Sequence, residues 1–209
     1  MYGLLIFIFL LNLQCALASP TISWSGVQDI ELGAQSSTGR GILDLDFDNN
    51  GAIDYNFEYG VDSTLWVRPQ NGNEIIMTDI FSVPPLYDLH SEHLEAGAII
   101  ENGTGEHLSW ELDDDILAGT LGGASGGVFG YWKGADHEYM GVRFTAADGI
   151  HYGWIEMSVS DTYELATIHS WAYNTVPGEG LVAGVVPEPS TIALFLVGIA
   201  AFGIKRMRQ

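Results

Sequence analysis

Between its two apolar ends the chain is written in short runs, and no run is long enough to fill a packed layer as a helix. Apolar or alternating segments recur at 22–32, 42–47, 53–59, 65–68, 74–78, 128–133, 138–145, 150–159 and 165–173. They are rich in Ile, Val, Tyr, Phe and Trp, with glycine and other turn residues between them, which is the pattern of β-strands. Val142-Arg143-Phe144 leads through Ala146-Ala147-Asp148-Gly149 into Ile150-His151-Tyr152, a hairpin whose Asp-Gly pair tolerates positive φ. Only 86–96 has room for a short helix. Many strands at short spacing with aromatic inward positions predict an all-β domain, a two-sheet antiparallel β-sandwich of lectin or jelly-roll type. Gly141 and Gly153 inside strands imply close backbone approach or room for a neighbouring ring.

The C-terminus has three parts in order: Val186-Pro187-Glu188-Pro189-Ser190, an apolar run at 192–204, and Lys205-Arg206-Met207-Arg208. As a short apolar helix, 191–204 spans about 21 Å, less than the roughly 30 Å of a bilayer's hydrocarbon core. The two prolines resist helical extension upstream, and the basic cluster holds its end on the cytoplasmic side. This tail resembles the PEP-CTERM sorting signal, which exosortase-type transpeptidases recognise in Gram-negative bacteria that export polysaccharide. The resemblance implies transient insertion in the inner membrane, cleavage at or beside Val186–Ser190, and transfer to the outer surface or extracellular matrix.

The N-terminus agrees with export. An apolar core at 4–13 precedes Ala16-Leu17-Ala18, whose small residues predict signal-peptidase cleavage before Ser19. Asn12 and Gln14 speak against a lipoprotein site at Cys15. Cleavage removes that cysteine, the only one in the chain, and leaves no disulfide or thiol chemistry. The expected organisation is a signal peptide at 1–18, a β-sandwich at 19–185 and a sorting signal at 186–209. Loss of the tail's three basic residues and of Glu188 takes the net charge from −20 to −22. That balance argues against nucleic acid and anionic lipid as partners and makes a bound cation attractive.

The sharpest chemical motif is Asp46-Phe47-Asp48-Asn49-Asn50-Gly51-Ala52-Ile53-Asp54. Side-chain oxygens at Asp46, Asp48, Asn50 and Asp54 alternate around a glycine that permits a sharp bend, and the Ala52 carbonyl adds a ligand. Hard Ca²⁺ takes six to eight oxygens, so this spacing predicts a calcium loop. Phe57 stands where an EF-hand needs glutamate. The pattern is closer to the Asp-x-Asp-x-Asn-Gly-x-x-Asp loops of FG-GAP and thrombospondin type 3 repeats.

Other groups carry less. Glu111, Asp113 and Asp115 alternate as the catalytic carboxylates of laminarinase-like glycoside hydrolases do, but a charged Asp114 and the short Asp115 depart from that pattern. His90-Ser91-Glu92-His93 lacks zinc-site spacing. Residues 139–183, with Tyr139-Met140-Gly141-Val142-Arg143-Phe144 and Gly153-Trp154-Ile155, resemble a β segment upstream of sorting signals in other secreted bacterial proteins; the resemblance implies no activity. Trp66, Trp110, Trp154 and Trp171 read as core, Trp24 and Trp132 as exposed. The reading is a calcium-stabilised, non-enzymatic surface or matrix protein with a structural or adhesive role. The alternative is a calcium-dependent module that binds extracellular polysaccharide.

Overall fold

The computed structural model describes residues 21–34, 41–60, 65–79, 89–103, 105, 108–112, 120–122, 132–162 and 164–187. The compact unit Ile22–Val185 holds every described strand. Ala16, Ala18 and Ser19 of the predicted cleavage site, Glu188, Pro189 and Ser190 of the sorting motif, and the apolar run at 192–204 lie outside the described residues.

The described residues are all-β, with every pairing antiparallel. The strands are β1 Ile22–Trp24, β2 Ile30–Leu32, β3 Ile42–Leu45, β4 Tyr55–Tyr59, β5 Leu65–Pro69, β6 Glu74–Asp79, β7 Leu89–Ser91, β8 Ile99–Ile100, β9 Leu108–Glu111, β10 Thr120–Gly122, β11 Glu138–Ala146, β12 Gly149–Val159, β13 Ala166–Asn174 and β14 Leu181–Val182. One sheet runs β1-β13-β12-β11-β6-β7, with β2 also on β13 and β9 also on β6. A second runs β10-β5-β4-β3, and β14 pairs with β8 as a ribbon.

The side-chain period explains the layers. Along β13 buried and half-buried residues alternate, and the bulge at His169 reverses which face the alternate residues serve, so that Ile168 packs in one core and Ala172 in the other. One face joins Leu43, Leu45, Phe57, Leu65 and Val67 of the smaller sheet to Val142, Phe144, Ile155 and Ile168 of the larger in one core. On the opposite face Tyr152, Trp154 and Ala172 pack with Ile100, Leu181 and Ala183 from the β8–β14 side. The central sheet is thus covered on both sides, and the middle of β12 is buried continuously, as two-sided burial requires. The Tyr55 hydroxyl crosses the main core and donates to the Arg143 carbonyl at 2.9 Å; burial pushes its pKa well up, so the phenol stays protonated.

Several expectations need correction. The run at 22–32 is two strands on β13, split by a turn whose Gly26 and Asp29 have positive φ. The described part of 86–96 is β7 followed by a bridge from Leu94 to Tyr139 and contains no helix. Trp132 lies just before a turn and is fully buried, its indole N–H donating to the Ser91 carbonyl at 3.1 Å. In the β11–β12 hairpin Ala146 pairs with Gly149, so Ala147 and Asp148 form the turn and only Gly149 takes positive φ.

Candidate metal centre

The acidic turn follows from the same two-residue period. Leu43, Leu45 and Phe47 point inward and are buried, so Asp44, Asp46 and Asp48 point outward. Asn49 at φ 60° and Gly51 at φ 91° then reverse the chain. Asp54 returns beside β3, its N–H donating to the Leu45 carbonyl at 2.9 Å. Carboxylate oxygens of Asp46, Asp48 and Asp54 come within 4.8 Å of one another.

Asp54 anchors the group. It is 3% exposed; its Oδ2 accepts the Phe47 N–H at 2.7 Å and its Oδ1 accepts Asn73 Nδ2 at 2.8 Å. Burial raises its pKa, and the charges of Asp48 and Asp46 add to that, while the two hydrogen bonds act against it. Asp46 accepts the Asn50 and Gly51 amides at 3.0 and 2.8 Å, and Asp48 accepts the Asn50 amide at 3.1 Å. Asn50 Oδ1 accepts the Ala52 N–H at 2.7 Å, so its first duty is to brace the turn. Ala52 is exposed. Asn73, from the β5–β6 turn, is the partner that spacing did not disclose.

Glu111 ends β9 and accepts Ser109 Oγ at 2.7 Å; Asp113 and Asp115 lie outside the described residues. Glu92 has a raised pKa from burial, opposed by His93.

One array escaped the sequence altogether. Ser158 Oγ lies 2.9 Å from His169 Nε2, and His169 Nδ1 lies 2.8 Å from Asp29 Oδ1. A β-bulge opposite Glu156 and Met157 turns His169 this way. The order is that of a hydrolytic triad, and its members are also held by other partners. Ser158 Oγ already accepts the His137 backbone N–H at 3.0 Å and sits 3.3 Å from an Asp136 carboxylate oxygen, which places a negative charge beside the hydroxyl. Asp29 is 61% exposed, which screens its charge. The array cross-links β12, β13 and the turn before β2.

Residues 185–209 match the family model of the PEP-CTERM protein-sorting motif. The chain therefore carries the signal of exported proteins sorted by an exosortase, with transient membrane anchoring. No curated protein and no solved structure matches the chain.

Proposed function

We propose that Ile22–Val185 is the extracellular body of a structural or adhesive surface protein, a lectin- or jelly-roll-like sandwich stabilised by one Ca²⁺. Asp46, Asp48 and Asp54 hold the ion, and the Asn50 side chain and Ala52 carbonyl complete the shell with water. The supporting observation is the convergence of three carboxylates within 4.8 Å. Like charges at that spacing repel by about 3 kcal/mol per pair at the dielectric of a protein surface, before salt screening. A divalent oxygen-seeking cation turns that repulsion into attraction, and the net charge of −20 favours it further. The role is non-catalytic, and after exosortase processing the protein resides on the outer surface or in the matrix.

The test is thermal melting of the full chain in Ca²⁺ and in chelator. At a calcium concentration about 100 times Kd the native state gains about 2.7 kcal/mol, a rise of roughly 5–10 °C for a chain of this size. Asp48→Ala abolishes the rise. Identical melting of the wild type in calcium and chelator removes the metal from the reading.

A further inference from the structure

Trp171 and Tyr173 stand two residues apart on β13 and so share a face. Both are half-buried, and both face Phe47, whose ring centroid lies 6.4 and 6.0 Å from theirs. The edge strand β1 sets Ser23 opposite Tyr173. Ser25 is locked to β13 from both sides, its N–H donating to the Trp171 carbonyl and its Oγ accepting the Trp171 N–H, each at 2.9 Å. Gln28 Nε2 donates to the Ser25 carbonyl at 2.7 Å. These elements line a half-open cavity of about 320 Å³, with Asn49 of the acidic turn on its wall.

Among the described residues the lining holds aromatic rings, hydroxyls and amides, and no Asp, Glu, Lys, Arg or His. In a chain with 27 acidic and 7 basic residues, that neutrality sets the cavity apart. Trp24 also borders it, but its register partner Ala172 belongs to the opposite core, which directs the Trp24 indole to the other face.

We propose that this cavity binds a neutral glycan. A sugar ring has apolar C–H faces that pack on aromatic rings and hydroxyls that exchange hydrogen bonds with Ser23, Gln28 and Asn49. A purely apolar ligand would strand those polar groups without partners, and the charge of the chain repels an anionic polysaccharide. The volume is at the lower end of small-ligand clefts, roughly 300–1,000 Å³, which suits a short stretch of a chain. The proposal goes beyond the structural role and does not need the ion, although Phe47 and Asn49 belong to the acidic turn.

The experiment is calorimetric titration of the full chain, in zwitterionic detergent, with cellohexaose, laminarihexaose and mannohexaose. Hexagalacturonate is the anionic control, and each titration is run in Ca²⁺ and in chelator. At least one neutral hexasaccharide binds and hexagalacturonate does not. Trp171→Ala weakens binding about tenfold. Asn49→Gly keeps the positive φ, removes the amide and weakens binding severalfold at unchanged melting temperature, so the test survives if Trp171→Ala fails to fold. Trp24→Ala leaves affinity unchanged. Absence of binding by all three neutral probes, preference for hexagalacturonate, or wild-type affinity in Asn49→Gly overturns the proposal. Equal binding in calcium and chelator supports the cavity, and the separate melting test decides on the metal.

Discussion

A single methyl group at Gly153 is expected to cost the fold more than the same methyl at Gly141, although the nearest clash is closer at Gly141. A Cβ at position 153 meets the Ala172 carbonyl oxygen at 2.6 Å, Phe47 Cε1 at 2.9 Å and Tyr173 Cβ at 3.1 Å. The carbonyl belongs to the β12–β13 ladder and cannot withdraw without opening it. At Gly141 the contacts are Ile76 Cδ1 at 2.4 Å, Ile76 Cγ1 at 2.9 Å and Leu94 Cδ1 at 3.3 Å, all side-chain atoms and none of them backbone. Overpacking costs about 1–3 kcal/mol, and replacing a strand glycine by alanine returns about 0.5–1. With rigid partners the strain wins, and Gly153→Ala loses about 2 kcal/mol, or roughly 4–8 °C in Tm. At Gly141 a rotamer shift of about 0.5–1.5 kcal/mol nearly cancels the backbone gain, so Gly141→Ala stays within about 1 kcal/mol of the wild type. Urea unfolding followed by far-UV circular dichroism reads both as midpoint shifts at constant slope. Equal stability of Gly153→Ala and wild type, or a larger loss at Gly141, would refute the distinction between rigid and yielding neighbours.

Two further outcomes follow from polar contacts. Arg143 grips Glu74 with two nitrogens, one at 2.6 Å, and lies 5.0 Å from the Trp110 ring centroid. With side-chain exposures of 19% and 15%, the Arg143→Met variant leaves a half-buried carboxylate unpaired and loses about 2 kcal/mol; adding Glu74→Gln restores part of this in urea unfolding, and additive losses would contradict the pairing. The hydrogen bond from His151 holds the Asp148 carboxyl below its ordinary range. A lowered folded pKa gives stability that is present above the unfolded value of about 4 and lost as pH falls through the folded one. Asp148→Asn flattens the acid limb of a Tm–pH profile, and an unchanged limb would remove Asp148 from that account.

The long strands were legible because they are long. The three strands β11, β12 and β13 follow the runs at 138–145, 150–159 and 165–173 within a residue or so at each end. By contrast β8 and β14 have two residues each, too few to show any period, and they exist because Ile100 and Leu181 cover the outer face of the central sheet. The split in 22–32 was hidden because the turn depends on a distant acceptor: Gln28 N–H donates to the His169 carbonyl at 2.7 Å. Trp132 misled for a related reason, since it stands near the end of its apolar run while the partner that buries its indole, Ser91, is far away in sequence. At the acidic turn, local spacing disclosed Asp46, Asp48 and Asp54 but gave no sign of Asn73. The glycan cavity was illegible in principle, because Ser25 and Trp171 meet across 146 residues.

Phe47 ties these features into one unit. The alternation that sends Asp46 and Asp48 outward sends Phe47 inward, where it is 1% exposed. Its ring edge fills the space left by the missing Cβ of Gly153 and lines the cavity beside Trp171 and Tyr173. Its backbone N–H fixes the Asp54 carboxylate. The ring cannot shift toward solvent without dragging the amide that holds Asp54, and packed interiors transmit such displacement rather than absorb it. Gly153→Ala and Phe47→Leu therefore act on shared contacts, and their double mutant departs from additivity by about 1 kcal/mol. If the turn holds the proposed calcium, the same coupling predicts that a methyl group on β12 weakens the binding at a turn it does not touch. Had Phe47 served only as core filling, the two effects would be independent, and calcium affinity would survive Gly153→Ala unchanged.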